Sequence, residues 1–249
     1  MEYVLLFFLG GIIGSFLNAC IYRLSRGISL VFPPSSCPHC NHRLGPFDLI
    51  PILSYLALRG RCRYCRAAIH RRYLLVELLS AGWLCLAWWL TGEFSVFLWL
   101  GINGFFLMLA AAIDLETGLI PNKVTYSGAF FGLLYFALRQ PQRLPLALLG
   151  GLVGFGVIFL VLMVYPHSIG MGDAKLLGYI GIISGAGHAL LALFLASLLG
   201  LLSNLPRLIR GGRKTLTTRL AFGPFLALGG LVVLLWGDNL IQWWLNLFL

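Results

Sequence analysis

Two aspartates, Asp114 and Asp173, hold the chemistry of greatest consequence in this chain. Each stands at the edge of an apolar run, in Ile113-Asp114-Leu115-Glu116 and Gly170-Met171-Gly172-Asp173. A carboxylate at membrane depth is expensive and marks a functional site by default. Two carboxyl groups that share one proton can act together, one as base toward a water and the other as acid toward a carbonyl oxygen, which is the chemistry of peptide-bond hydrolysis. Like charges held close cannot both ionise, so such a pair titrates as a unit. Gly170 and Gly172 support the same reading, because they permit unusual backbone and the close approach of a substrate strand or helix. One border aspartate would be read as a helix cap. The pair points to an intramembrane aspartyl protease.

A second constellation is formed by Cys37-Pro38-His39-Cys40 and Cys62-Arg63-Tyr64-Cys65, two CxxC pairs separated by 21 residues. Each pair can present two thiolates from one tight knuckle, and four thiolates make the closed tetrahedral site of structural zinc. A disulfide pairing is the competing explanation, but the segment is expected in the reducing cytoplasm, where stable disulfides are rare. His39, His42 and His70 are near enough in sequence to replace a thiolate, while Cys20 and Cys85 fall within apolar spans and read as core residues. The segment of about fifty residues around the knuckles is too small to bury much core, so metal supplies the folding free energy it lacks.

The elements that must position these groups are membrane helices. Hydrophobic residues make up 59% of the chain and charged residues 10%, with a mean hydropathy of +0.91. Apolar stretches of the roughly 20 residues needed to cross about 30 Å of hydrocarbon recur along the whole length. The first of them, Met1 to Tyr22, begins with Glu2 and no basic residue, which disfavours a cleaved targeting peptide and favours a retained helix with its N-terminus outside. Cytoplasmic loops are enriched in Lys and Arg. Nine of the 18 basic residues lie between Arg23 and Arg72 and five between Arg207 and Arg219. Placing both groups inside gives eight spans, at about 1–22, 73–91, 94–113, 124–138, 146–165, 174–186, 188–205 and 220–237. Lys123 and Lys175 then also lie inside, and both aspartates fall at the cytoplasmic face. The expected fold is an all-α polytopic membrane protein, with a first transmembrane helix (1–22), a cytoplasmic tetra-cysteine, zinc-ribbon-like loop domain (23–72) and a transmembrane peptidase core (73–249).

Positive-inside topology accounts for the net charge of +10 without a nucleic-acid partner. Glu77, just inside the second span, reads either as the ion-pair partner of Arg71 or Arg72 or as a participant in group transfer. Arg61 and its basic neighbours read either as topology anchors or as a grip on an anionic substrate or cofactor. Paired intramembrane aspartates also occur in ion- or proton-coupled transporters. That alternative, a transporter with a zinc-stabilised cytoplasmic loop, leaves the tetra-cysteine module without a role, and the halves of the chain show no internal repeat.

Taken together, the motifs give a family resemblance. Gly14-Ser15-Phe16-Leu17-Asn18 with Tyr22-Arg23, the two CxxC knuckles, Arg59-Gly60-Arg61-Cys62, Arg72-Tyr73 with Val76-Glu77-Leu78, Ile113-Asp114, Ile120-Pro121, Gly170-Met171-Gly172-Asp173-Ala174-Lys175 and Phe222-Gly223-Pro224-Phe225 resemble a bacterial type IV prepilin peptidase of the GxGD aspartyl protease group. The resemblance implies that Asp114 and Asp173 are the catalytic pair, removing the basic leader of prepilins or pseudopilins at the cytoplasmic face of the inner membrane, with Gly170, Gly172 and Lys175 in support. It implies a second activity as well, N-methylation of the new N-terminal residue with S-adenosylmethionine, whose binding residues stay unassigned beyond Glu77 and Arg61. Leu74, Asn122 and Ala221 depart from the commonest family pattern, and none touches the aspartates.

Overall fold

The computed structural model describes residues 1–166, 169–211 and 221–248, and among these the regular secondary structure is helical, with no strand beyond two isolated bridges. Nine α-helices follow in order among the described residues: α1 (Glu2–Leu24), α2 (Leu53–Ala57), α3 (Arg72–Thr91), α4 (Phe94–Thr117), α5 (Asn122–Arg139), α6 (Leu144–Val164), α7 (Met171–Ser184), α8 (Ala186–Gly211) and α9 (Gly223–Phe248). Every expected span carries a helix. Among the described residues, six of these are long and apolar enough to cross a bilayer: α1, α3, α4, α6 with its preceding turn, α8 and α9. The side chains of the basic cluster from Arg207 to Arg219 lie outside the described part.

The chain divides into two compact units, Met1–Gly101 and Ile102–Leu249. In the first, α1 and α3 pack along a seam of small residues. A methyl group on Gly10 would stand 2.6 Å from the Ala81 Cα, and one on Gly14 2.7 Å from the Glu77 Cα, so only glycine lets the two backbones come this close. The side-chain amide of Asn18 donates to the Tyr73 carbonyl at 2.9 Å across the same seam. Arg23, buried at the end of α1, donates to the carbonyls of Ser29, Leu30 and Pro33 and folds the chain back after the helix.

In the second unit α7 is the central helix. It has only 14 residues, about 21 Å of rise, which is short of the hydrocarbon thickness. Protein surrounds it instead of lipid, since nine of its residues are buried. Its neighbours reach it through glycines: Gly128 of α5 lies against Tyr179, Gly154 of α6 against the Leu177 carbonyl, and Gly230 of α9 against Ile180. The Tyr179 hydroxyl, fully buried, donates to Asn103 Oδ1 of α4 at 2.8 Å, satisfying two polar groups that hydrocarbon would leave stranded.

Candidate active site and metal-binding module

Local sequence explains where each aspartate sits. Helix α4 runs through Asp114 and stops one turn later, where Gly118 takes a φ of +66° and its N–H returns to the Asp114 carbonyl at 2.8 Å, the usual glycine end of a helix. Leu119 and Ile120 follow, and Pro121 caps the start of α5. Asp173 is the third residue of α7. Its Oδ2 reaches back to accept the N–H of the helix cap, Gly170, at 3.2 Å, and its own N–H donates to the Gly170 carbonyl at 3.1 Å. This reciprocal box holds the carboxylate in one orientation at the positive end of the helix. Both aspartates therefore lie within terminal turns, where the spans drawn from sequence had left them just outside.

The two carboxylates are within electrostatic reach of one another. Asp114 is 5% exposed and Asp173 8%. Asp114 Oδ2 and Asp173 Oδ1 are both buried and have no hydrogen-bond partner among the described residues. Buried polar atoms are nearly always paired, so two orphaned carboxylate oxygens on neighbouring residues are the pattern of a site that acts on something brought to it.

Residues outside the aspartate motifs complete the site. Gly223, at the start of α9, packs directly against the Asp114 carboxylate. A Cβ at Gly223 would stand 2.6 Å from Asp114 Oδ2 and 2.9 Å from Ile120 Cδ1, and one at Gly172 would stand 3.1 Å from Ile120 Cβ. Ile120 is thus wedged between the two glycines that border the aspartates. Gly223 was visible in the sequence only as part of Phe222-Gly223-Pro224-Phe225, and nothing local tied it to Asp114, 109 positions away. Gly170 supplies the cap described above. Lys175, half-buried, donates to Asn122 Oδ1 at 2.8 Å and lies 5.7 Å from the centre of the Tyr126 ring. An amide oxygen orients the ammonium without neutralising it.

In the first unit the four cysteines converge, with the sulfurs of Cys37, Cys40, Cys62 and Cys65 all within 4.8 Å of one another. Cys37 and Cys65 are 3.9 Å apart. A tetrahedral ion with metal–sulfur bonds of about 2.3 Å requires sulfur separations of about 3.8 Å, so the donor set fits zinc. The two knuckles repeat one geometry. The Cys37 N–H donates to the His42 carbonyl and the Cys62 N–H to the Ala67 carbonyl, and Asn41 and Arg66 take the matching left-handed conformations at φ +54° and +61°. The N–H groups of Cys65 and Tyr64 point at the Cys62 sulfur and hold its thiol down to about 7, which favours the thiolate a metal binds. The histidines stand apart: His42 lies over the Tyr64 ring with centroids 3.6 Å apart, and His70 Nδ1 accepts the Arg72 N–H. Asp48 braces the second knuckle by accepting from Arg63 Nε at 2.6 Å and from the Tyr64 hydroxyl at 3.1 Å, and its Oδ2 also accepts the Gly45 N–H at 3.1 Å, in the chain that leaves the first.

Glu77 and Arg61 have different surroundings. Glu77 Oε2 accepts the Ile52 N–H at 2.7 Å, and the same carboxylate meets the Ser15 side chain. Arg61 is exposed and bridges to Ala68 beside the second knuckle.

Comparison with known proteins agrees with this division. Residues 8–91 match the bacterial peptidase A24 N-terminal domain, and residues 101–205, which include both aspartates, match the type IV leader peptidase family. The chain belongs to the type IV leader peptidase family. A prepilin leader peptidase/N-methyltransferase of Aeromonas hydrophila is 32% identical over 284 aligned residues, covering 100% of this chain and 96% of that protein. Proteins of the same description from Pseudomonas putida and Pseudomonas aeruginosa are 33% and 31% identical and cover 93% and 96% of this chain, with 90% and 91% of their own lengths matched. No solved structure matches the chain. Membership in this family leaves the transporter alternative without support.

Proposed function

We propose that this protein is an intramembrane aspartyl endopeptidase that removes the leader from type IV prepilins or pseudopilins, and that it N-methylates the new N-terminal residue. The observation that carries the peptidase half is the pair of orphaned, buried carboxylate oxygens on Asp114 and Asp173 within the part of the chain that matches the leader peptidase family. In the reaction one carboxylate takes a proton from water as its oxygen attacks the scissile carbonyl carbon, and the other carboxyl group gives its proton to the carbonyl oxygen. Collapse of the resulting diol breaks the C–N bond, and a carboxyl proton passes to the departing amine. The Gly170 N–H holds the Asp173 carboxylate, Gly223 leaves room for the Asp114 carboxylate, and Gly172 and Ile120 shape the surroundings.

On the topology read from the basic residues, the N-terminus is outside and the dyad is at the cytoplasmic face. The substrate's hydrophobic helix enters laterally among the spans while its basic leader stays in the cytoplasm. Lys175, oriented by the Asn122 amide oxygen and the Tyr126 ring with no carboxylate among its described contacts, pairs with an acidic residue just beyond the cleavage point.

Cys37, Cys40, Cys62 and Cys65 hold a structural zinc ion that stabilises the knuckle module. The methylation half rests on the relatives' description and on residues 8–91. S-adenosylmethionine on binding would supply the methyl group, and its binding residues stay unassigned beyond Glu77 and Arg61. The test is cleavage of a prepilin by wild type, Asp114→Asn and Asp173→Asn, with product mass read with and without S-adenosylmethionine. Loss of cleavage in both variants is expected, and the wild-type product should gain one methyl mass. Cleavage surviving in both variants would sink the dyad.

A further inference from the structure

The run Leu49-Ile50-Pro51-Ile52-Leu53-Ser54-Tyr55-Leu56-Ala57-Leu58 carries no charge, although it lies in the basic segment joining α1 to α3. Its length of ten residues is too short for a span and suits a re-entrant or interfacial piece. It lies against the two membrane helices. A methyl group on Gly11 of α1 would stand 3.2 Å from Pro51 Cβ, and the Ile52 N–H donates to Glu77 of α3.

The depth of that contact follows from the helices themselves. The Asn18–Tyr73 hydrogen bond marks the level at which α1 and α3 pass each other, beside Arg71 and Arg72. From there Glu77 is four residues inward, about 6 Å, and Gly11 seven residues inward, about 10 Å. The headgroup layer is about 5–7 Å thick. With Arg71 and Arg72 among the headgroups, the Ile52 contact with Glu77 falls at the hydrocarbon boundary and the Pro51 contact with Gly11 beyond it.

Non-helical backbone at that depth must find its partners within the protein, and here it does. Ile52 has a φ of +63°, which a β-branched residue rarely adopts. The Leu53 N–H turns back to the Pro51 carbonyl at 2.5 Å, closing a γ-turn, and the Ile52 N–H at the apex meets the buried Glu77 carboxylate. Helix α2 then leads outward, with the Leu56 N–H on the Ile52 carbonyl at 3.0 Å, until the chain reaches Arg59 and Arg61. Leu53 and Leu56 are 52% and 57% exposed, as are apolar residues at similar depth on the spans, Ile12 of α1 and Leu78 of α3 among them. This face continues the lipid-facing surface of α1 and α3.

We propose that residues 49–58 form a membrane re-entrant element, in which α2 lays Leu53 and Leu56 against lipid acyl chains and Glu77 positions the apex by accepting the Ile52 amide. The inference needs α1 and α3 to cross the membrane and is independent of the peptidase reading. The full chain, reconstituted in vesicles of phosphatidylcholine and phosphatidylglycerol, would carry photoreactive benzoylphenylalanine at position 53, 56 or 66, the last on the exposed knuckle. Several-fold more lipid adduct at 53 and 56 than at 66 is expected. Equal yields at the three positions, or adducts at 53 and 56 that go mainly to a second copy of the chain, would overturn the proposal. Amide exchange of the unsubstituted chain in the same vesicles gives an independent reading: protection of residues 52–58 comparable to α1 is expected, and exchange as fast as that of residues 39–41 overturns it. For the positioning residue, Glu77→Gln keeps an oxygen acceptor and should retain the adduct at position 56, whereas Glu77→Leu should lose most of it. A full adduct in Glu77→Leu would remove Glu77 from the proposal.

Discussion

Substituting Gly223 by Ala probes the site at the point where its geometry is tightest. The new methyl carbon would stand 2.6 Å from Asp114 Oδ2, 3.0 Å from Asp114 Cγ and 2.9 Å from Ile120 Cδ1. Unstrained contact between such atoms needs about 3.5 Å, so the Asp114 carboxylate must retreat by about 0.9 Å or take another rotamer. A misplacement of about 1 Å at reacting groups lowers rate by about a hundredfold, equivalent to about 2.7 kcal/mol of transition-state stabilisation. The assay is the initial rate of leader removal from a purified prepilin in proteoliposomes, with kcat and KM determined separately. Gly156→Ala in α6, where an added methyl meets nothing within 4 Å, is the control for a glycine change as such. We expect kcat of Gly223→Ala to fall about a hundredfold with KM and helix content little changed, and Gly156→Ala to retain full activity. A wild-type kcat in Gly223→Ala would refute the placement of Gly223 against a catalytic carboxylate.

Other consequences can be measured on the same preparations. Lys175→Met should raise KM for prepilins with an acidic residue just past the cleavage point and leave those with a neutral residue unaffected; equal kinetics on both substrates would discard the ion pair. Chelation should release one zinc ion per chain and speed amide exchange across residues 35–44 and 60–69, whereas knuckles that stay protected without metal would show that the cysteines fold the module unaided. Hydrogen bonding from Arg63 holds the Asp48 carboxyl below the usual carboxylate range. Its contribution is therefore complete above the ordinary Asp value near 4 and fades as pH falls through the lowered one. Asp48→Asn should lessen the acid sensitivity of the Arg63–Tyr64 contact, read as the exchange rate of the second knuckle between pH 5 and 3, and an unchanged acid profile would contradict this role.

Much of the molecule was legible because the relevant signals are local. A bilayer asks each spanning helix to satisfy its own backbone and to present about 20 apolar residues, so intervals such as 73–91 and 94–113 could be marked without knowing their neighbours. A CxxC knuckle is likewise built within a few residues, which is why Cys37, Cys40, Cys62 and Cys65 were named together, and the reciprocal cap between Gly170 and Asp173 is closed inside four residues. Glu77 shows the opposite case. Reading it beside Arg71 and Arg72 suggested an ion pair, yet its partners are a backbone amide 25 residues earlier and the Ser15 side chain. No periodicity or spacing encodes such a meeting.

By itself, the sequence determined that this is a helical membrane protein with a tetra-thiolate module and two carboxylates at helix ends, because residue type and short spacing suffice for each. The tertiary structure alone decided that Gly223 lies against Asp114, that Ile120 is wedged between two glycines beside the aspartates, and that α7 can be short because protein encloses it. It also decided that the apolar run after the first knuckle folds back onto α1 and α3. Each of these depends on close approach between segments tens of residues apart. The absent side chain of a glycine permits such an approach, and only the packing of the helices decides which partner fills the space.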